Sequence, residues 1–162
     1  ELREAGVENV GLVLQAALRR TLADIGALAD LRPSVRLCKG IYVEPQAIAY
    51  HGADHVRRSF VACLEALLHG GSYVAVATHD EWLLGETLSR VAGLSPASYE
   101  LQMLLGVREP RATELVAAGH RLRVYVPYGQ RWYEYSLRRL QENPAMATMI
   151  AKATLGRMVG RP

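Results

Sequence analysis

The chain has 162 residues, half of them hydrophobic, and a formal net charge of +3. That is enough apolar material for one cored domain. Its basic residues are scattered, with no arm or run dense enough for nucleic acid, so a nucleic-acid partner is not expected. Cys38 and Cys63 lie in apolar segments without CxxC spacing, which reads as two buried thiols in a reducing compartment and gives no metal site.

No apolar stretch is long enough for a membrane span and no secretory leader opens the chain, so a cytoplasmic protein is expected, with room for peripheral contact at a membrane surface. The first residue is Glu1 rather than Met, which suggests processing or a start inside a longer reading frame.

In chain order, the apolar run Val10–Gln15 predicts a strand, and Leu18–Leu31 follows with helical spacing. Val35–Cys38 is the next strand, ending at Lys39-Gly40, and Ala53–Leu68 is a strongly patterned helix that stops at Gly70-Gly71. Tyr73–Ala77 reads as a buried strand, followed by Thr78-His79-Asp80 and a helix over Glu81–Val91. Tyr99–Leu104 is a fourth strand, Arg111–Ala118 a short helix, and Leu122–Val126 a fifth strand. Two more helices are expected, over Arg131–Glu142 and Ala145–Met158.

The strand–helix unit recurs every 23 to 38 residues, and the strands are almost continuously apolar, so the class is α/β with a parallel sheet under helices. Two architectures fit: an open doubly wound sheet, or part of a closed (βα)8 barrel. No GxGxxG follows an early strand, and a whole barrel needs roughly 250 residues.

Polar residues fall at or near the strand C-termini: Gln15, Arg36 with Lys39, Thr78-His79-Asp80, Gln102 and Tyr125. In a barrel that end is the active-site face, and such residues on successive strands point to a binding or catalytic surface. Arg36 stands between Val35 and Leu37, where a charge is costly unless paired. Either it faces outward on an edge strand or it points inward to a ligand. Lys39 beside Gly40 suits either a phosphate or a solvated loop. Tyr135, Arg138, Arg139 and Glu142 share one helix face by spacing. Two arginines on one stripe suit a carboxylate, and a solvated face with an Arg138–Glu142 pair is the plainer alternative.

The strings VRLCKGIY at 35–42, ATHD at 77–80, YELQMLLGVRE at 99–109 and RVYVPYG with WYEYSLRRL within 123–140 resemble, in order, those of the proline dehydrogenase family. The similarity runs from GLVLQA at 11–16 to the last helix and is nearest to the bacterial monofunctional type. It implies a distorted (βα)8 barrel, of which this chain would be the C-terminal part, strands four to eight with the terminal helices, across residues 1–162 and without the N-terminal strands.

The resemblance also implies FAD, held at positions that Gln15, Arg36, Lys39, Gly40, Ile41, Thr78, His79 and Gln102 match. Arg36 matches the arginine beside flavin N5, and Tyr125 a second position at the reacting centre. Tyr42, Leu104, Tyr125 and Tyr135 match the walls around the substrate, Arg138 and Arg139 the pair that grips the L-proline carboxylate, and Glu142 a supporting carboxylate. The implied reaction is oxidation of L-proline to Δ1-pyrroline-5-carboxylate, with a quinone as electron acceptor. Cys38 stands where the family commonly has Val, Ile41 where Ala is usual, and Asp80 where some members have Asn. Two other readings stand beside it: a different phosphate- or flavin-binding barrel, and a catalytically incomplete half-barrel that only assembles with another chain.

Overall fold

The computed structural model describes the chain except for residues 1, 3, 4, 8, 41, 43, 127 and 130–162. The expected helices over 131–142 and 145–158 lie outside the described residues. Among the described residues, five strands and four α-helices alternate: β1 (Gly11–Gln15), α1 (Thr21–Ala27), β2 (Ser34–Cys38), α2 (Ala53–His69), β3 (Val74–Ala77), α3 (Glu81–Val91), β4 (Tyr99–Leu104), α4 (Glu109–Ala117) and β5 (Leu122–Tyr125).

The strands form one sheet in the order β1-β2-β3-β4-β5. β1 with β2 and β2 with β3 run parallel, so each connection must cross over through a helix. A doubly wound sheet reverses its strand order at a switch point, whereas this one advances by one strand in a single direction. The open alternative is thereby excluded, and the winding is that of a (βα)8 barrel segment.

By packing, the chain divides into two compact units, Glu1–Leu101 and Gln102–Pro162. In the first unit the register pairs Leu12 with Val35, Leu14 with Leu37, Val35 with Val74 and Leu37 with Val76. Ladder partners share a face. Val35, Leu37, Val74 and Val76 are wholly buried, together with Phe60, Cys63, Leu64 and Leu67 of α2 and Leu83 and Leu84 of α3. α2 packs on α1, β2 and α3, so this is the helix-side core. In the second unit Leu105 N–H donates to Tyr125 C=O at 2.9 Å, tying the end of β4 to β5. Leu115 of α4 is buried, while most of β5 is exposed.

The long helix expected over Leu18–Leu31 is shorter. Ala16 and Ala17 amides extend the β1–β2 ladder to Cys38 and Lys39 carbonyls, Arg19 N–H bonds Ile48 C=O, and Leu18 bridges to Ala49. Those backbone groups are already spent, so α1 begins only at Thr21, whose hydroxyl donates to Gln15 C=O at 2.6 Å. After Ala27 the chain tightens into a 3-10 turn over Ala29–Leu31, closed by Arg32 at φ 42°. α4 starts two residues early because Pro110 sits in its first turn, where no amide is needed. Cys63 is buried as expected, but Cys38 is only half-buried, because it alternates with Leu37 and so stands on the face opposite α2.

Phe60 fills the centre of the helix-side core with no exposure. Phe60→Ala should cost about 3–5 kcal/mol, read as a fall in the urea midpoint at unchanged slope.

Candidate functional site

The second face of the sheet is built by the alternate residues. Val13, Arg36 and Ala75 stand in one row, and Gln15, Cys38 and Ala77 in the next. Arg36 and Cys38 are half-buried and alternate with the fully buried Val35 and Leu37. β2 has a partner on each side, so Arg36 is not on an edge strand. It projects from the face opposite the helices, which in a barrel is the interior. Of the two placements open from sequence, the edge-strand one is excluded.

The chain then turns sharply after β2. Gly40 has φ +103°, and a Cβ there would lie 3.0 Å from Ala17 Cβ and 3.1 Å from Gln15 Oε1. Only glycine meets both conditions, a backbone that L side chains rarely adopt and a space already filled. The turn thus exposes main chain beside the Gln15 amide at the strand ends. Arrangements of this kind, bare backbone next to an amide and a cation, suit a polar-edged planar ligand. The residues present therefore fit a flavin ring edge and its polar substituents.

Cys38 Sγ donates to Leu14 C=O at 3.5 Å. Burial raises its thiol above the ordinary value, with Arg36's charge and Gly40's amide opposing part of the rise, so it is a neutral thiol at pH 7.

Lys39 and Thr78 meet through Asp80. Lys39 Nζ lies 3.2 Å from Asp80 Oδ2, and Arg57 of α2 grips the same carboxylate with two hydrogen bonds of 3.0 Å. Asp80 Oδ1 also accepts from Trp82 N–H at 3.2 Å, capping α3, while Asp80 N–H donates to Thr78 Oγ1 at 3.1 Å. Arg57 lies over the Trp82 ring at 5.7 Å. Burial pushes the Asp80 carboxyl up, but the Arg57 hydrogen bond and the Lys39 charge outweigh it and hold the group below its ordinary value. Lys39 is thus tethered beside the end of β3, and Thr78 is buried with its hydroxyl accepting.

The remaining expected residues are distributed as follows. His79 is half-buried between Thr78 and Asp80, and Tyr42 is half-exposed beyond Gly40. In the second unit Gln102 and Leu104 are half-buried on either side of buried Met103, while Tyr125 ends β5 and is 38% exposed. Ile41, Tyr135, Arg138, Arg139 and Glu142 lie outside the described residues.

Arg57, and the capping and pairing role of Asp80, escaped sequence reasoning. Arg57 was hidden in an ordinary helical pattern. Asp80, immediately before an apolar helix, carries an N-cap signature that could have marked it. Glu100 is a third, buried at 4% exposure inside β4 with Tyr73 Oη donating to it at 3.0 Å. The argument applied to Arg36, a charge inside an apolar strand, would have found it.

Among the described residues, fold and polar groups together define a one-way-wound βα sheet whose strand C-termini and face opposite α2 carry polar side chains, the layout of a barrel segment. The chain belongs to the proline dehydrogenase family, whose model, described as Proline dehydrogenase, matches residues 1–152. It is 40% identical over 154 residues to the proline dehydrogenase of Deinococcus radiodurans, covering 94% of this chain and 50% of that one. It is 43% identical over 150 residues to proline dehydrogenase 1 of Bacillus subtilis strain 168, covering 91% and 50%. The chain spans about half the length of the curated relatives it matches.

Among solved structures, a bifunctional proline utilization A protein superposes with a TM-score of 0.77 at 28% identity, over 94% of this chain and 18% of that one. The Bdellovibrio bacteriovorus proline utilization A inactivated by N-propargylglycine gives 0.76 at 26% identity, over 86% and 17%.

Asp80's depressed folded-state value means that its contribution to stability is present above the ordinary carboxyl range, near pH 4, and is lost as pH falls through the lower folded value. Asp80→Asn should therefore cost roughly 2–3 kcal/mol at pH 7 and flatten the acid limb of the stability–pH profile below about pH 4. Urea titrations from pH 7 down to 3 read both effects.

Proposed function

We propose that residues 1–162 form the C-terminal part of a proline dehydrogenase catalytic barrel, strands four to eight with the terminal helices, acting on L-proline with FAD. The observation that carries this reading is the placement of Arg36 on the face opposite α2, one row below the Gln15 and Cys38 row and the bare Gly40 turn, in a chain of this family.

Bound FAD would supply the oxidation by accepting a hydride from the proline ring carbon next to nitrogen, giving Δ1-pyrroline-5-carboxylate. The chain's own groups do the rest. Arg36 supplies positive charge on the interior face, next to where negative charge develops on the reduced ring. By the family resemblance Gln15, Gly40, Ile41, Thr78, His79 and Gln102 would hold the cofactor, and Lys39, tethered to Asp80, would add a cation. By the family resemblance Arg138 and Arg139 would grip the carboxylate and so fix the substrate ring, with Glu142 in support. Tyr42, Leu104, Tyr125 and Tyr135 enclose the small ring and exclude water. A quinone would take the electrons from the reduced cofactor.

A cytoplasmic location with peripheral contact at a membrane accords with a lipid-soluble acceptor. Among the described residues no helix is long and apolar enough to cross a membrane.

A second reading, a half-barrel competent only with further chain, is favoured by β1. This first strand of the sheet order leaves Leu12 37% and Val13 60% exposed. Apolar residues in such a position call for cover. The two readings are compatible, since the first concerns the complete barrel.

Turnover of L-proline by the full-length protein with a soluble quinone analogue is the direct test. Arg139→Met should raise the proline KM roughly ten- to hundredfold, the loss of one charge-assisted hydrogen bond. An unchanged KM would remove the carboxylate clamp from the account. Gly40→Ala should weaken FAD retention at least about tenfold, because the added methyl is strained at φ +103° and displaces the Gln15 amide. Equilibrium dialysis against FAD reads it, and wild-type retention would contradict the cradle.

A further inference from the structure

Glu100 lies in the interior of the sheet at 4% exposure, and the proposed chemistry gives it no task. Its position relative to Arg36 follows from the ladder. Val35 N–H donates to Tyr73 C=O, and Val35 pairs with Val74. Val74 N–H in turn donates to Ser98 C=O at 3.4 Å, so by the same parallel pattern Val74 stands opposite Tyr99, and Ala75 opposite Glu100. Arg36 pairs with Ala75. Arg36, Ala75 and Glu100 therefore occupy one row across β2, β3 and β4, all on the face opposite α2.

The residue between the two charges is an alanine, whose single methyl leaves the space above it open. Adjacent strands are about 4.8 Å apart, so the two backbones are separated by roughly 10 Å, a span that Arg and Glu side chains extended toward each other can bridge. Tyr73 Oη donates to Glu100 Oε2 at 3.0 Å, which keeps the carboxylate on this face and satisfies part of its hydrogen-bonding capacity. A carboxylate this deep is stable as an anion only with donors and a cation near it.

We infer that Glu100 is a positioning residue for Arg36, its carboxylate fixing the guanidinium over Ala75 on the interior face and cancelling part of its charge. The consequence for the flavin rests on the reading that Arg36 meets that group. Glu100 then limits how strongly Arg36 favours the reduced, anionic ring, and Tyr73 acts one step further back by holding Glu100.

The test is a double-variant cycle on the full-length protein saturated with FAD, using Glu100→Gln and Arg36→Met. Two readouts are taken: the thermal midpoint and the potential of the bound flavin. Glu100→Gln should lower the midpoint by roughly 5 °C or more when Arg36 is present and change it little in the Arg36→Met background. Glu100→Asp, which keeps the charge, should recover part of the loss. With Arg36 left uncancelled, the flavin in Glu100→Gln should be easier to reduce, its reduced-to-oxidised ratio at fixed potential rising about tenfold.

Equal midpoint losses in both backgrounds would overturn the pairing while leaving the flavin reading intact. Non-additive losses in a wild-type protein that takes up no flavin would uphold the pairing and sink the flavin reading instead. If Glu100→Gln gives no folded protein, the double variant decides: recovered folding supports the pairing and continued failure overturns it.

Discussion

β2 has a hydrogen-bonded neighbour on each side, so every residue in it must project either into the helix layer or to the opposite face. Val35 and Leu37 take the helix side and disappear completely from solvent. That choice leaves Arg36 no alternative to the other face, because a one-residue slip would carry the guanidinium into a core of leucines and valines. The same register sets Leu12 and Leu14 on one side and Gln15 at the end of the other. Burial of apolar side chains under α2 thus fixes where the polar chemistry stands. At about 25 cal/mol per Å2 of apolar surface, the helix-side residues hold the register far more firmly than the polar ones could.

Beyond the strand ends, the site depends on backbone economy and one carboxylate. Residues 16–19 are occupied by the Cys38, Lys39 and Ile48 carbonyls and by the Leu18–Ala49 bridge, which brings the β1 loop against the Gly40 turn. Asp80 then gathers three duties: capping α3, pairing with Arg57 and tethering Lys39. Arg57 reaches it from α2, so the helix whose inner face fills the core also anchors the loop after β3. Stability and site geometry are coupled through that carboxylate.

Much of this was legible from the sequence. The five strands and most helices fall within a few residues of their expected bounds, because apolar runs bounded by Gly, Pro and Asp carry both period and punctuation. The overlong helix at 18–31 shows the limit: Leu18 fits a helical period, but long-range pairing with Ala49 claims it. Composition and spacing left open sheet and barrel undecided. Strand order settled the matter, and strand order is a property of non-local pairing that a single sequence does not display. Arg36 was recognisable as an anomaly, yet its direction needed the register. Glu100 was equally anomalous and was passed over, while the Arg57–Asp80 pair, 23 residues apart, left only Asp80's capping position as a trace.

The account's central claim is that the interior face around Arg36 and Gly40 holds a flavin that takes a hydride from proline. The most direct measurement is an anaerobic titration of the purified full-length protein with L-proline while the flavin absorbance is followed. The account predicts a yellow protein whose absorbance bleaches stoichiometrically as proline is added. A yellow protein that proline leaves unchanged would contradict the substrate assignment, and a protein that purifies colourless and takes up no FAD would contradict the claim outright.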